Sequence, residues 1–347
     1  MLKITPAYSF DDVLLVPRWS PVPTRGAIDL SVDLGKHLQL KIPIIAANMK
    51  HVAEVQMADA LGSLGGLTIL HRFCSIEEQL AMYQACQYPQ YVGAAIGVKS
   101  EDRERADKLI EAGCLTICVD VAHGDSLLAS RMVEWLREEW NELLIIAGNV
   151  ATASGALTLA QAGADVVKCN IGSGSICSTR IEAGTGVPSI TALSNVFTQA
   201  CQGIHNQYNT CYKKSSERGF KIIADGGITT AGNLGKALCF SDAVMLGSLL
   251  AGTPEAPGEI FEKDGQQYKR YDGSSTFKHK NVEGIKAMVK VKPPVAEVIE
   301  RLMDGLRSCC SYQGVYDLED LKRNPEFVQI SQAGLRESHP HSVLELS

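Results

Sequence analysis

No stretch of the chain approaches the roughly eighteen consecutive apolar residues that cross a bilayer. The N-terminus, Met1-Leu-Lys-Ile-Thr-Pro-Ala-Tyr-Ser9, also lacks the apolar core of a signal peptide. The protein is therefore expected to be soluble and cytoplasmic. There is no Cys-x-x-Cys pair: eleven cysteines fall at irregular spacing, several of them inside strand-like runs. That argues against a disulfide framework or a zinc site and for reduced thiols. Nor is there a basic footprint. The net charge is −6 and the pI is near 5.8, so neither nucleic acid nor a membrane surface is expected as a partner. A mildly acidic protein that binds phosphate must do so with local amides and a few cations.

What the chain does have is short apolar runs with helical stretches between them. The runs lie at 42–46, 67–70, 91–95, 115–119, 143–147, 165–169, 221–224 and 242–246. Near-continuous apolar runs of this length suit parallel strands buried on both faces, and the stretches at 103–112 and 127–140 carry a helical period. Eight strand–helix units in 347 residues predict an α/β fold, a (β/α)8 TIM barrel forming one catalytic domain over 1–347, in preference to two average domains.

In that fold the functional groups belong just after each strand, on the C-terminal face. Polar residues and glycines concentrate at those positions: Asn48-Met-Lys50, His71-Arg72, Gly97, Asp120 to Ser126, Gly148-Asn149, Asn170 to Arg180, Asp225-Gly-Gly227 and Gly247-Ser248. The centre is the loop after the sixth run, Asn170-Ile-Gly-Ser-Gly-Ser-Ile-Cys-Ser-Thr-Arg180. Gly172 and Gly174 are expected to take positive φ and to bring backbone groups close to a small ligand. Cys177 stands there among hydroxyls and a cation. A thiolate attacks well only when something lowers its pKa, and Arg180 with the loop amides is expected to do so, which makes Cys177 a candidate nucleophile. Most intracellular cysteines are inert fillers, but a Gly-x-Gly-x-x-Cys loop is a poor place to bury one.

After the seventh and eighth runs, Asp225-Gly226-Gly227 and Gly247-Ser248 read as a phosphate cradle. Glycines expose N–H groups there, and a short helix N-terminus adds partial positive charge. Asp225 is expected to be free to accept from ribose hydroxyls. Plain helix-capping turns are the competing reading. The segment 255–292 breaks the strand–helix rhythm: Asp264-Gly265 signals a hairpin between 259–262 and 267–271, ahead of Gly273-Ser-Ser-Thr276 and the basic Lys278-His-Lys280. Such an excursion after the last strand commonly covers an active site. Residues 197–219 read as a second irregular insertion without chemistry. A helix is expected over 295–307 after Pro293-Pro294, and the tail 324–347 is expected at the surface or in an interface.

The loop around Cys177 resembles the catalytic loop of the IMP dehydrogenase and GMP reductase family. Ser9 to Pro17, Ile44 to Met49, Asp120 to Gly124, Ala147 to Val150, Ala224 to Gly227, Met245 to Gly247 and Gly305 to Ser308 also fall in that family's order, across essentially the whole chain. The resemblance implies that Cys177 attacks C2 of a purine nucleoside monophosphate, GMP or IMP, while Thr179 moves protons. It places Ser175, Asp225, Gly226, Gly227, Gly247, Ser248, Tyr271, Gly273, Ser274 and Glu283 on the nucleotide, with Glu283 at N1 and O6. It places Arg72, Asp120, Val121, Ala122 and Asn149 on a nicotinamide cofactor, NADPH or NADH/NAD. A monovalent cation, K+, is implied at the carbonyls of Gly172, Gly174 and Cys177, with Glu337 reaching in from a neighbouring subunit of a homotetramer.

Two branches share these features. Dehydrogenases of the family usually carry an inserted CBS pair and a flap with an Arg-Tyr pair that activates water. Here His71-Arg-Phe runs on to Tyr91 without an insert, and Thr276 to Val282 contain no Arg-Tyr. These features, together with the Ala-Ala-Asn-Met and Asp120 to Ser126 stretches, resemble the reductase branch. Phe277 at the usual reductase glutamate, the tail Gly334 to His341 and Lys50 at a usual aspartate depart from it. The leading expectation is thus an NADPH-dependent GMP reductase. The alternatives are an IMP dehydrogenase in which Lys278, His279 or Lys280 replaces the lost base, and a purine-nucleotide-binding regulator without turnover.

Overall fold

In the computed structural model, which describes residues 4–202, 219–273 and 284–340, the eight apolar runs close on themselves. Strands β1 (Ile44–Ala46), β2 (Leu67–Leu70), β3 (Val92–Ile96), β4 (Thr116–Asp120), β5 (Leu144–Val150), β6 (Val166–Cys169), β7 (Lys221–Asp225) and β8 (Ala243–Leu246) pair in parallel, and β8 returns to β1. Residues such as Ile44, Ile69, Ile117, Ile145, Val167, Ile223 and Val244 are fully buried. With one face toward the barrel axis and the other under helices, no strand needs an alternating polar face. The predicted TIM barrel is the fold observed.

α1 (Val55–Ser63) opens at Glu54 and α3 (Ser100–Glu111) at Lys99, but several helices, such as α4 (Leu127–Glu139) with Ser126, begin where hydroxyl side chains end the loops. Ser75 opens α2 (Ile76–Ala85) with a capping box: its Oγ accepts from Glu78 N at 3.1 Å, and Glu78 Oε2 accepts from Ser75 N at 2.8 Å. Thr152 caps α5 (Ala153–Gln161) and Thr230 caps α8 (Ala231–Leu238), each accepting from an amide three residues on at 3.1 Å. Each cap contributes about 1 kcal/mol and fixes the chain direction just beyond a strand end. β2 leads through α2 directly to β3, with no inserted domain between them.

Two expectations need correction. Residues 197–202 are not irregular: α7 (Ser189–Gln202) runs through them, because Val196, Phe197, Ala200 and Cys201 continue the buried stripe of Ile190 and Leu193. The rest of that expected insertion, 203–218, lies outside the described residues. The helix after Pro294, α9 (Val295–Gln313), extends two turns past 307, since Cys310 and Gln313 stay buried. It stops at Gly314 with φ 67°, where a Cβ would lie 2.4 Å from the Trp19 carbonyl, so only glycine fits. The tail lies at the surface as expected and also pairs with the N-terminal segment: Phe327–Gln329 runs antiparallel to Val13–Leu15, and Phe327 stacks on Phe240 at 5.4 Å.

The excursion after β8 is a three-stranded antiparallel sheet, β9 (Ile260–Lys263), β10 (Gln266–Asp272) and β11 (Lys286–Lys290). The expected hairpin turn is there, with Asp264 at φ 53° and Gly265 at φ 72°, as a two-residue primed turn requires. The third strand was not apparent from sequence. Lys269 docks this sheet: its buried ammonium donates to the carbonyls of Thr253 (2.9 Å), Pro254 (3.1 Å) and Ala256 (2.7 Å), and burial pulls its pKa down.

At the N-terminal end of β8, Lys322 Nζ meets Asp242 Oδ1 at 2.9 Å, and each side chain is only 1% exposed. Asp242 Oδ2 also accepts from Ile222 N at 2.8 Å. Removing one partner of such a pair strands a buried charge. Lys322→Ala is therefore expected to lower the urea-unfolding free energy by about 3–5 kcal/mol, whereas an exposed change such as Lys99→Ala leaves the midpoint in place.

Candidate active site

The strand ends at the C-terminal mouth surround one cleft of about 440 Å³. Its wall includes Arg72 after β2, Asp120, Val121 and Ala122 after β4, Asn149 at β5, Gly172, Gly174, Ser175, Cys177 and Thr179 after β6, and Asp225 and Gly226 after β7. Tyr271 and Gly273 reach the same wall from the excursion. Most of the residues expected at the site, far apart in sequence, are thus brought together. Gly227, Gly247 and Ser248 are not on the wall, though each is part-exposed next to it in sequence. A Cβ on Gly247 would come 2.8 Å from the Tyr271 hydroxyl, and one on Gly227 would come 3.4 Å from Ser173 Cβ. The Ser248 carbonyl accepts from the Lys292 ammonium. Ser274, Phe277, Lys278, His279, Lys280 and Glu283 lie outside the described residues.

Cys177 is part-exposed on this wall, with its Sγ 3.1 Å from Thr179 Oγ1. Its amide donates to the Gly174 carbonyl at 3.0 Å, closing the turn that presents the thiol. Thr179 opens the short helix α6 (Thr179–Glu182) and is itself buried. The cysteines inside the barrel are different: burial pushes the Cys114 and Cys118 thiols up to about 12 and raises Cys169 as well. They are thiols packed as small apolar groups.

The loop differs from expectation in two respects. Gly172 has φ 78°, and a Cβ there would strike the Arg180 side chain at 2.6 Å, but Gly174 is not in the positive-φ region and its Cβ would make ordinary contact. Arg180 does not serve the thiol. Its guanidinium donates to the carbonyls of Ile171 (3.2 Å) and Val187 (2.7 Å), clamping the loop shut behind Gly172. Backbone carbonyls win this cation because they converge on it where the loop folds back.

The largest feature missed from sequence is Lys168. It lies inside the apolar β6 and is 1% exposed. Its Nζ donates to Asp120 Oδ1 at 2.6 Å and to Asp225 Oδ2 at 3.2 Å, tying the ends of β4 and β7 together across the barrel. Burial opposes the charge on Lys168, but the Asp120 and Asp225 carboxylates outweigh it and raise its pKa. Burial likewise opposes charge on Asp120, yet the Lys168 ammonium wins and holds that carboxyl below the usual range. A signal was present: a lysine in a strand expected to be buried on both faces must find an anion.

This network also narrows the expectation for Asp225. One of its oxygens, Oδ2, is taken by Lys168 and by Asn149 Nδ2 at 2.9 Å, which leaves Oδ1 for a ligand. Asn149 gives its other amide hydrogen to the Asn170 carbonyl at 2.9 Å, so it is a strut of the site with only its own carbonyl to offer. Just after β7, Gly226 and Gly227 have φ 92° and 79°. Gly226 packs so closely on Ser173 and Gly174 that a Cβ would lie 2.9 Å from Ser173 Oγ. The cradle loop and the cysteine loop therefore interlock. On the far side, the Arg72 guanidinium lies 5.2 Å from the Phe73 ring and donates to the Asp120 carbonyl at 3.3 Å. Its buried Nε has no partner. Over the mouth, burial pushes the Tyr271 phenol up, so it stays a neutral donor, 3.7 Å from Met49 Sδ.

The comparisons with known proteins agree with this geometry. The model of the IMP dehydrogenase / GMP reductase domain matches residues 7–341. A GMP reductase from Leishmania donovani is 31% identical, with 97% of each chain covered. That alignment spans 493 positions, more than this chain contains, so a reductase too can carry a long segment that is absent here. The absence of an insert therefore does not separate the two branches. An inosine-5'-monophosphate dehydrogenase from Chlorobaculum parvum is 39% identical over 84% of this chain and 61% of its own length. Among solved structures, a Cys-to-Ala variant of the GMP reductase from Trypanosoma brucei, in complex with guanosine 5'-monophosphate, superposes with a TM-score of 0.90. It is 30% identical and covers 98% of this chain and 99% of its own. With a family match over nearly its whole length, a closed eight-stranded barrel and a cysteine loop at the barrel mouth, this chain belongs to the IMP dehydrogenase / GMP reductase family of purine-nucleotide oxidoreductases.

Proposed function

We propose that the protein is a GMP reductase, converting GMP and NADPH to IMP, ammonia and NADP+ through a covalent bond between Cys177 and the purine. The observation that carries the reading is the Cys177–Thr179 pair, 3.1 Å apart on the wall of the cleft. Cys177 Sγ adds to C2 of the guanine ring. Thr179 Oγ1 passes a proton to the 2-amino group, which departs as ammonia. The nicotinamide, when bound, supplies the hydride that takes the place of the lost amine at C2. The C2–S bond then breaks, returning the thiolate and releasing IMP.

Binding falls to the rest of the wall. The amides around Gly226, Gly227, Gly247 and Ser248, with Tyr271, take the phosphate, and Asp225 Oδ1 takes a ribose hydroxyl. Ser175 and Gly273 line the base. Arg72, with its unpartnered buried Nε and its stack on Phe73, offers a flat cationic ledge that suits a nicotinamide, beside Asp120, Val121 and Ala122. The same reading gives the carbonyls of Gly172, Gly174 and Cys177 to a monovalent cation and the chain to a homotetramer.

The 39% identity to the Chlorobaculum dehydrogenase favours a second reading, IMP dehydrogenase. That reaction must hydrolyse the cysteine adduct, and residues 276–282 contain no Arg-Tyr pair to activate water. The two readings separate when GMP with NADPH and IMP with NAD are tested side by side at the nicotinamide absorbance band. Sustained NADPH oxidation with GMP is expected. Steady NADH formation with XMP release overturns the proposal, and a single stoichiometric burst with IMP and NAD marks the missing hydrolysis.

A further inference from the structure

Four non-glycine residues among those described have positive φ. Lys36, Asp264 and Asn324 lie at 49–53°, in the left-handed helical well that turns use, whereas Asn170 lies at 124°, well outside it. Asn170 is held there from both sides: its N–H donates to Val150 O at 2.8 Å and its carbonyl accepts from Asn149 Nδ2 at 2.9 Å. Its side chain is 2% exposed and lines the cleft, yet neither Oδ1 nor Nδ2 has a hydrogen-bond partner. A strained backbone and a buried, unpaired amide coincide in one residue. Each is unfavourable alone, and such residues persist where function requires them.

The polar neighbours do not relieve it in the folded site. Asn149 has given both amide hydrogens away. Lys168, two residues earlier in β6, is engaged with Asp120 and Asp225. The partner must come with a ligand. A carboxamide offers an acceptor and donors side by side, so its complement shows a donor and an acceptor side by side. A phosphate would leave Oδ1 unpaired. An amide-type edge satisfies both atoms.

We propose that Asn170 is a specificity-determining residue of the cleft, its side-chain carboxamide pairing with an amide-type donor–acceptor edge of a bound ligand. Two components of the reaction carry such an edge: the carboxamide of the nicotinamide, and the O6 and N1–H of the purine. The inference rests on the purine-nucleotide oxidoreductase reading above.

The test is Asn170→Gly, which removes the strain and the amide together. Its melting temperature is expected to rise, because glycine accepts this φ and leaves no unpaired group, while affinity for one ligand falls about tenfold or more. Calorimetric titration with GMP alone reads the purine arm, and the KM for NADPH at saturating GMP reads the cofactor arm. If the cofactor arm moves, an analogue with an acetyl group in place of the carboxamide, which keeps the acceptor but loses the donor, is expected to show a smaller difference between wild type and variant than NADPH does. A variant that keeps both affinities within about twofold, or that melts below wild type, overturns the assignment. Failure of the functional reading looks different: the wild type itself then binds neither GMP nor IMP, and both proposals fall.

Discussion

Replacing Cys177 by alanine is expected to lower GMP-dependent NADPH oxidation on the order of 10⁴-fold or more, with GMP affinity changed by less than about threefold. The reasoning is local. The thiol is part-exposed and its recorded polar contacts are Thr179 Oγ1, at 3.1 Å, and the turn that presents it. Truncating it opens no core cavity, so the melting temperature should stay near that of the wild type. The groups assigned to phosphate and ribose, around Gly226, Asp225 and Tyr271, come from other strands and the excursion and are untouched. Absorbance at the nicotinamide band measures the first quantity and calorimetry with GMP the second. Activity surviving the change would remove the sulfur from the mechanism. Loss of GMP binding together with activity would mean that the loop holds the ligand and performs no covalent chemistry.

The second large effect is expected at Lys168. Changing it to methionine keeps much of the volume but leaves Asp120 and Asp225 facing each other across the barrel without the cation between them. Breaking a buried pair costs about 3–5 kcal/mol. Here the lower end is expected, because Asp120 and Asp225 are 19% and 20% exposed to the cleft and water can reach them. The sign of the pH dependence follows. In the wild type Asp120 is held below the usual carboxyl range, so its contribution is present above about pH 4 and is lost as pH falls through its folded pKa. In the variant only the Arg72 charge and the Asn48 hydrogen bond still oppose the effect of burial on Asp120, so protonation becomes favourable at higher pH. The stability gap between the two proteins should therefore shrink from pH 7 toward pH 4 in urea titrations. Lys168 touches no substrate atom in this account; it is a positioning residue. A Lys168→Met, Asp120→Asn double variant is expected to regain most of the stability while its KM for GMP and its kcat stay impaired. Recovery of activity together with stability would reduce Lys168 to a structural strut.

The barrel was legible because its physics is repetitive. Eight apolar runs with polar, glycine-rich residues at their C-terminal ends admit few other architectures, and most observed strands begin or end within a residue or two of the runs. The cysteine loop was legible because Gly-x-Gly-x-x-Cys is a distinctive place for a thiol. What sequence could not supply was partnership. Arg180 looked like a cation for Cys177, but the carbonyls of Ile171 and Val187 capture it when the loop folds back. Asp225 looked free, but Lys168 and Asn149 reach it from two other strands. The strand Val13–Leu15 and its partner Phe327–Gln329 are three residues each and lie at opposite ends of the chain, so no local pattern announces their pairing. Asn170 was visible only as the first residue of a loop; its φ of 124° and its unpaired amide are properties of the folded site.

The central claim is a transient bond between Cys177 and C2 of the purine. It is tested most directly by mixing the protein with GMP and NADPH, quenching with acid within one turnover, and measuring the masses of the peptides by mass spectrometry. The account predicts a purine nucleotide attached to the peptide that contains Cys177, appearing and decaying at rates consistent with turnover. Full turnover with that peptide unmodified at every time point, or with the nucleotide attached to another residue, would contradict it.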